Sequence, residues 1–317
     1  MNFPVFDLHC DTALALLGDD LSGGNSLRRN QLHIDLERAK TLSGYAQCFA
    51  CFTTPAFREW YQVSPVTAFE REMGEILSQI EANGDWIKQA YTAQEVRENY
   101  EKGLMSGILT IEGPAGFDYD PALLQDLYAV GFRITTLGWN EQNILTGSHE
   151  TGGGLTDQGR EYVQEAQRVG MIVDVSHISD EGFWAIMRIT DKPIIASHSN
   201  SRAVCNVTRN LTDDMFRAIC QTGGVVGINQ YSKFLGDQPD LDMACDHILH
   251  FLELDPEGSH IALGGDLDGC DSLADGFAGV QGYSHLAQRL LDRGVSEVIV
   301  RNIFWNNALE VMEKCCI

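Results

Sequence analysis

Seven titratable side chains stand where apolar runs of the sequence stop. "FDLHCD" closes on His9 and Asp11, "LTIEG" on Glu112, "VDVSH" on His177, "IIASHS" on His198, and "ALGGDLDG" on Asp266 and Asp268. Taken singly, each has an ordinary explanation. A histidine at a strand end is commonly a hydrogen-bonded structural residue, and an aspartate there often caps the next helix. The joint pattern of imidazoles and carboxylates at five strand ends is not explained by capping. Burying such groups together is costly, and metal ions remove that cost. Imidazole and carboxylate donors without thiolate suit zinc, with manganese, cobalt or iron as alternatives. Three histidines plus Asp and Glu exceed what one catalytic zinc uses, so two ions sharing a bridging carboxylate is the economical arrangement. Water between two cations becomes a hydroxide nucleophile near neutral pH, and the chemistry that follows is hydrolysis.

Such residues converge only if their strands end in one place. The strand candidates are 4–9, 46–52, 107–113, 132–139, 171–177, 193–199, 224–230 and 260–269, several of them continuous apolar runs suited to parallel strands covered on both faces. Helical patterns lie between many of them, at 66–84, 156–170, 179–190 and 212–224, with polar caps and glycine stops, and 281–314 reads as two closing helices. Strands alternating with helices, with no linker, predict a single α/β domain over 1–317, a (β/α)₈ TIM barrel of the metal-dependent hydrolase type. A doubly wound open sheet is the competing architecture. In a barrel every strand points its C-terminal end into one bowl, where the seven side chains would meet.

Composition narrows the partners. A net charge of −23 over 317 residues argues against nucleic acid and against an anionic membrane surface, both of which need a cationic face. No apolar run reaches membrane-spanning length, and "MNFPVFDLHCD" lacks the pattern of a signal peptide. Nine scattered cysteines, including a lone CxxC at Cys48 and Cys51, fit buried thiols in a reducing, cytoplasmic setting better than a disulfide framework.

The block from "GLTDQGREYVQEAQRVGMIVDVSHISDEGFWAIM" to "GGVVGIN" (154–229) closely resembles the membrane dipeptidase family, peptidase family M19, of the amidohydrolase-like barrels. "DLHCDT", "IEGP" and "GGDLDG" match its other motifs in order, so the resemblance spans the chain. It implies a zinc-dependent dipeptidase with a binuclear centre: His9 and Asp11 on the first ion, Glu112 bridging, His177 and His198 completing the second. It also implies that Asp266 meets the substrate ammonium and handles the proton, while Arg209 holds the substrate carboxylate with its planar fork. Recognition of both ends limits the substrate to a dipeptide, with a D-residue acceptable at the C-terminal position, and family members are often homodimers. Asp268 is read as loop support and Asp7 as support below the site; strand alternation turns Cys10 away from His9 and Asp11. The alternative for Arg209 is a surface ion pair with Asp213 or Asp214. One departure stands out: Trp139 occupies the place where many members carry a histidine, and an indole N–H cannot carry a proton or positive charge. Asn140 and His149 are the nearby residues that could substitute, and Trp139 itself is expected at the substrate. Lactonase or N-acyl amino acid hydrolase activity in the same barrel, or an inactive metal-binding homologue, are the other readings.

Overall fold

A computed structural model describes residues 3–316. Nine strands form one parallel sheet: β1 (Val5–Cys10), β2 (Tyr45–Phe52), β3 (Ile87–Gln89), β4 (Met105–Glu112), β5 (Phe132–Thr136), β6 (Ile172–Asp174), β7 (Ile194–Ile195), β8 (Val226–Ile228) and β9 (Ile261–Leu263). Their order is β7-β6-β5-β4-β2-β1-β9-β8, and a parallel bridge between Ala196 and Val226 joins the two ends. Eight strands thus close into the expected barrel. β3 lies outside the ring, pairing with the first half of β4 on the edge that β5 takes further up.

The apolar runs explain the closure. Phe6, Leu8, Ala46, Cys48, Ile108, Ile134, Ile172, Ile195 and Ala262 come from seven strands and form one buried cluster with Trp305 and Met312 of the C-terminal segment. A set drawn from nearly every strand is the barrel filling, plugged at its N-terminal end. Alternate residues such as Val5, Phe49, Leu109, Phe132 and Val173 face outward into a larger core beneath the helices. Both faces of the eight barrel strands are therefore dry, and polar side chains collect at the C-terminal rim.

The helices begin where their caps predict. Pro65–Ala82 starts at Ser64, Asp157–Val169 at Thr156, Asp180–Met187 at Ser179 and Asp213–Thr222 at Thr212; each cap oxygen accepts an amide hydrogen bond from three residues on. The closing segment comprises Gly282–Asp292 and a second helix from Glu297 to Cys315 with a π-helical turn at Asn302–Asn306. Several further helices and β3 lie outside the predicted elements, and two of these helices are longer than the rest. Ala93–Glu101 carries a capping box between Thr92 and Glu95 but few apolar positions, and Leu241–Leu254 is capped by Asp240. Among the described residues no helix is long and apolar enough to cross a membrane.

Candidate metal centre and substrate cleft

The site is assembled from the rims of β1, β4, β6, β7 and β9. On β1 the pairing with β2 shifts register between Asp7 and Cys10. The carboxylate of Asp7 holds this irregularity: its Oδ1 accepts the amides of His9 (3.0 Å) and Gly265 (3.1 Å), and the Tyr283 hydroxyl donates to its Oδ2. Asp7 is thus the support beneath the site. Cys10 is buried, with its sulfur 3.3 Å from the Thr12 hydroxyl oxygen.

His9, Asp11, Glu112, His177, His198 and Asp266 are all buried and converge. Glu112 stands in the middle and divides its oxygens. Oε2 lies 3.2 Å from His9 Nε2, whereas Oε1 lies 2.8 Å from His177 Nε2 and 3.9 Å from His198 Nε2. Around His9 Nε2 the other carboxylates are Asp11 Oδ2 at 3.4 Å and Asp266 Oδ1 at 3.9 Å. His177 and His198 bring their Nε2 atoms to 3.0 Å, and the rings of His9 and His198 stack at 3.7 Å. Two compact donor groups result: His9, Glu112 and His198, and His9, Asp11 and Asp266.

A second layer fixes these groups. Ser197 Oγ lies 2.6 Å from His198 Nδ1, and the same hydroxyl donates to Asp174 Oδ2; Asp174 Oδ1 accepts the amides of Ser176 and Ser197, each at 2.9 Å. Asn140 Oδ1 lies 2.8 Å from His177 Nδ1. The Asn229 amide donates to Asp266 Oδ2 at 3.0 Å. Asp268 accepts the Thr12 hydroxyl (2.7 Å) and the His33 amide (2.6 Å), so it ties loops together at the wall of the cleft that it helps to line. His177, Asp266 and Asp268 all have left-handed backbone, φ 70°, 57° and 67°, a conformation that costs about 1–3 kcal/mol for a non-glycine residue and concentrates at functional sites. Gly269 passes so close that a β-carbon there would overlap Asp11 Oδ2 and Asp266 Oδ1.

Electrostatics follow from burial. It pushes His177 and His198 well below the usual imidazole range, with Arg209 and neighbouring histidines adding to the effect, so both are neutral and keep a lone pair. Burial also opposes charge on His9, but Glu112 and Asp11 overcome it and raise that imidazole well above its usual value. Burial, then the Asp11 charge, lifts Glu112 to about 8, and burial raises Asp266. His9 Nε2 and Asp11 Oδ1 have no hydrogen-bond partner although both are fully buried. Orphaned donors of this chemistry, crowded around one carboxylate, fit divalent cations.

The chain matches the profile of "Membrane dipeptidase (Peptidase family M19)" over residues 1–316. It belongs to peptidase family M19. Dipeptidase verJ of Clonostachys rogersoniana is 30% identical over 295 residues, covering 89% of this chain and 76% of that protein. Among solved structures, a metallopeptidase from Rhodobacter sphaeroides liganded with a phosphinate mimic of the dipeptide L-Ala-D-Ala superposes with a TM-score of 0.87 at 26% identity, covering 99% of this chain and all of that one. Dipeptidase AC, a metallopeptidase of family M19, gives 0.87 at 28% identity, covering 100% and 99%.

In this M19 chain the centre opens into a cleft of about 270 Å³, lined among others by Leu14, Phe52, Trp139, Asn140, Tyr231 and Phe234. Trp139 is half-buried on one wall, 5.1 Å from Phe52 and 5.8 Å from the exposed Trp60, with its ring 6.3 Å from that of His177. Arg209 is buried, donates to Ser199 Oγ at 3.0 Å, and leaves Nε and the second terminal nitrogen without partners. It forms no pair with Asp213 or Asp214, which engage His250 and Arg217 instead. His149 is displaced from the centre: its Nε2 meets Asn140 Oδ1 at 2.9 Å, and burial beside Arg209 lowers its pKa to about 4. Ser197, Asp174, Asn229 and Trp60 were not legible as site residues. Ser197 and Asp174 do adjoin the flagged histidines in "DVSH" and "ASHS", which is the one signal that pointed to them.

Proposed function

We propose that this chain is a zinc-dependent dipeptidase whose single domain holds two ions: His9 and Asp11 on one, His177 and His198 on the other, Glu112 between them. The observation that carries the reading is the division of Glu112, with Oε2 turned to His9 and Oε1 to His177. Manganese, cobalt or iron fit the same donors. When bound, such ions polarise the scissile carbonyl and acidify water.

The protein's own groups do the rest. The unpaired nitrogens of Arg209 supply a fork for the terminal carboxylate of the substrate. Asp266, held at Oδ2 by Asn229, keeps Oδ1 toward the centre, where it pairs with the terminal ammonium and carries a proton from attacking water to the leaving nitrogen. Asp266 lines the cleft of about 270 Å³ and Arg209 a small neighbouring pocket that shares His177 with it, and engaging both ends of the substrate with these two charges would limit it to two residues. Trp139, Phe52 and Leu14 form an apolar wall for a side chain. Acceptance of a D-residue at the C-terminal position is carried over from the relative that binds the L-Ala-D-Ala mimic. All nine cysteines are free thiols, which supports a cytoplasmic location.

The test combines metal analysis with a dipeptide panel varying chirality at both positions. Two equivalents of metal and turnover of free dipeptides are expected, with N-acetylated analogues inert. Hydrolysis of lactones or N-acyl amino acids in preference to dipeptides, or metal binding without any hydrolysis, would refute the dipeptidase reading.

A further inference from the structure

Asn140 follows Trp139 in the loop after β5 and lines the cleft with Glu112 and His177. Its Oδ1 receives two contacts, from His177 Nδ1 at 2.8 Å and from His149 Nε2 at 2.9 Å. Which end of an amide faces a pair of imidazoles is decided by where the rings carry their protons. If His177 offers Nε2 to a cation, its proton sits on Nδ1, and that nitrogen must donate. His149 Nδ1 lies 3.1 Å from the Thr208 hydroxyl; if that hydroxyl donates, His149 Nε2 keeps the proton and donates too. A carbonyl oxygen has two lone pairs and accepts both bonds, whereas an amino group would set donor against donor. The amide is therefore pinned by its oxygen, with its amino group turned the other way. Among the described residues, Nδ2 of Asn140 has no hydrogen-bond partner.

We propose that Nδ2 of Asn140 donates a hydrogen bond to the scissile carbonyl oxygen as that oxygen gains negative charge. A donor locked in advance requires no reorganisation when charge develops, the condition under which such bonds accelerate acyl transfer. The two histidines thus share the work: His177 faces the centre through Nε2, and through Nδ1 it joins His149 in aiming the amide. The inference rests on the dipeptidase reading above and on His177 as a ligand.

Asn140→Asp separates the roles. The aspartate keeps an oxygen acceptor for both imidazoles and almost the same shape, but presents an oxygen in place of the donor. Expected are wild-type metal content and melting temperature, a fall in kcat of about 100-fold or more, and little change in KM. Affinity for a phosphinate dipeptide analogue, measured by calorimetry on the metal-loaded protein, should fall by the same factor as kcat/KM. Wild-type kcat in Asn140→Asp would overturn the proposal. So would a change confined to KM, or a loss restored by excess metal, which would mark Asn140 as a prop for His177 only. Failure of the wild type to hydrolyse any dipeptide would instead remove the reading on which the proposal stands.

Discussion

Ser197→Ala tests whether the second layer sets metal affinity. The Ser197 hydroxyl sits between Asp174 Oδ2, to which it donates, and His198 Nδ1, 2.6 Å away. With His198 binding a cation through Nε2, its Nδ1 carries the proton and donates to Ser197 Oγ. Alanine removes that acceptor at a place where Ser197 and His198 are 0% and 1% exposed. Deleting one oxygen opens less room than a water with its partners needs, so the N–H is left unsatisfied. An unsatisfied buried donor costs about 1–3 kcal/mol. In the metal-free protein His198 escapes this cost by carrying its proton on Nε2, toward Glu112 and His177. The penalty therefore falls on the loaded state, and metal affinity should drop about 5- to 150-fold, matching the range of about 10–100-fold for outer-sphere partners. Chelator competition with a fluorescent zinc indicator measures it, with thermal unfolding of the metal-free protein as the control for folding. Metal affinity within twofold of wild type would refute the chain of reasoning from Asp174 to the ion.

Other substitutions probe the remaining parts. Glu112→Gln should lower both metal stoichiometry and turnover, since an amide offers one oxygen where two are used; unchanged stoichiometry by elemental analysis would contradict bridging. Arg209→Met should reduce kcat/KM for dipeptides about 10- to 150-fold, the value of one charge-assisted pair of about 1.5–3 kcal/mol, and should spare dipeptide amides relative to free dipeptides. Trp139→Ala should raise KM for dipeptides bearing large apolar side chains more than for those bearing alanine, as steady-state kinetics would show. The metal-free protein should lose stability as pH rises from about 6.5 to about 8. Glu112, raised to about 8, and His9, also raised, share as a pair a proton in the folded state that the unfolded chain has released, so folded protein binds more protons across this window. The depressed His177 and His198 act with opposite sign, but only below about 6.5. Melting temperatures of chelated and loaded protein across this range check the sign, and the slope should be absent in the loaded form.

The barrel was legible because both faces of its strands are covered, which writes "GILTIEG" and "MIVDVSH" as unbroken apolar runs whose final polar residues mark the rim. β3 was not, because Ile87–Gln89 is short, partly exposed and paired only on the outside of β4. The histidines and acids were legible for a related reason: a buried charge at a strand end has no neutral explanation once several converge. Ser197, Asn140 and Asn229 are uncharged and common in loops, and they acquire a role only from the partner that folding brings beside them. Arg209 is the intermediate case. Its local sequence offered Asp213 and Asp214 as partners, and burial beside Ser199 decided against them.

The barrel wall is uneven. β2 and β4 pair in register from Ala46–Ser106 to Phe52–Glu112, whereas β7 has two residues and meets β8 through the Ala196–Val226 bridge, reinforced by the Gly227 amide donating to the Ala196 carbonyl at 2.8 Å. Gly227 is required at this join, because a β-carbon there would overlap the Ser197 carbonyl. Local opening is expected first at the shortest strand: His198 follows the two-residue β7, while His9 and Glu112 stand on the longer β1 and β4. Thermal breathing therefore loosens one half of the centre before the other. Of two ions held as proposed, the one on His198 is expected to exchange with solution first, so the protein should pass through a singly loaded state whenever metal is scarce.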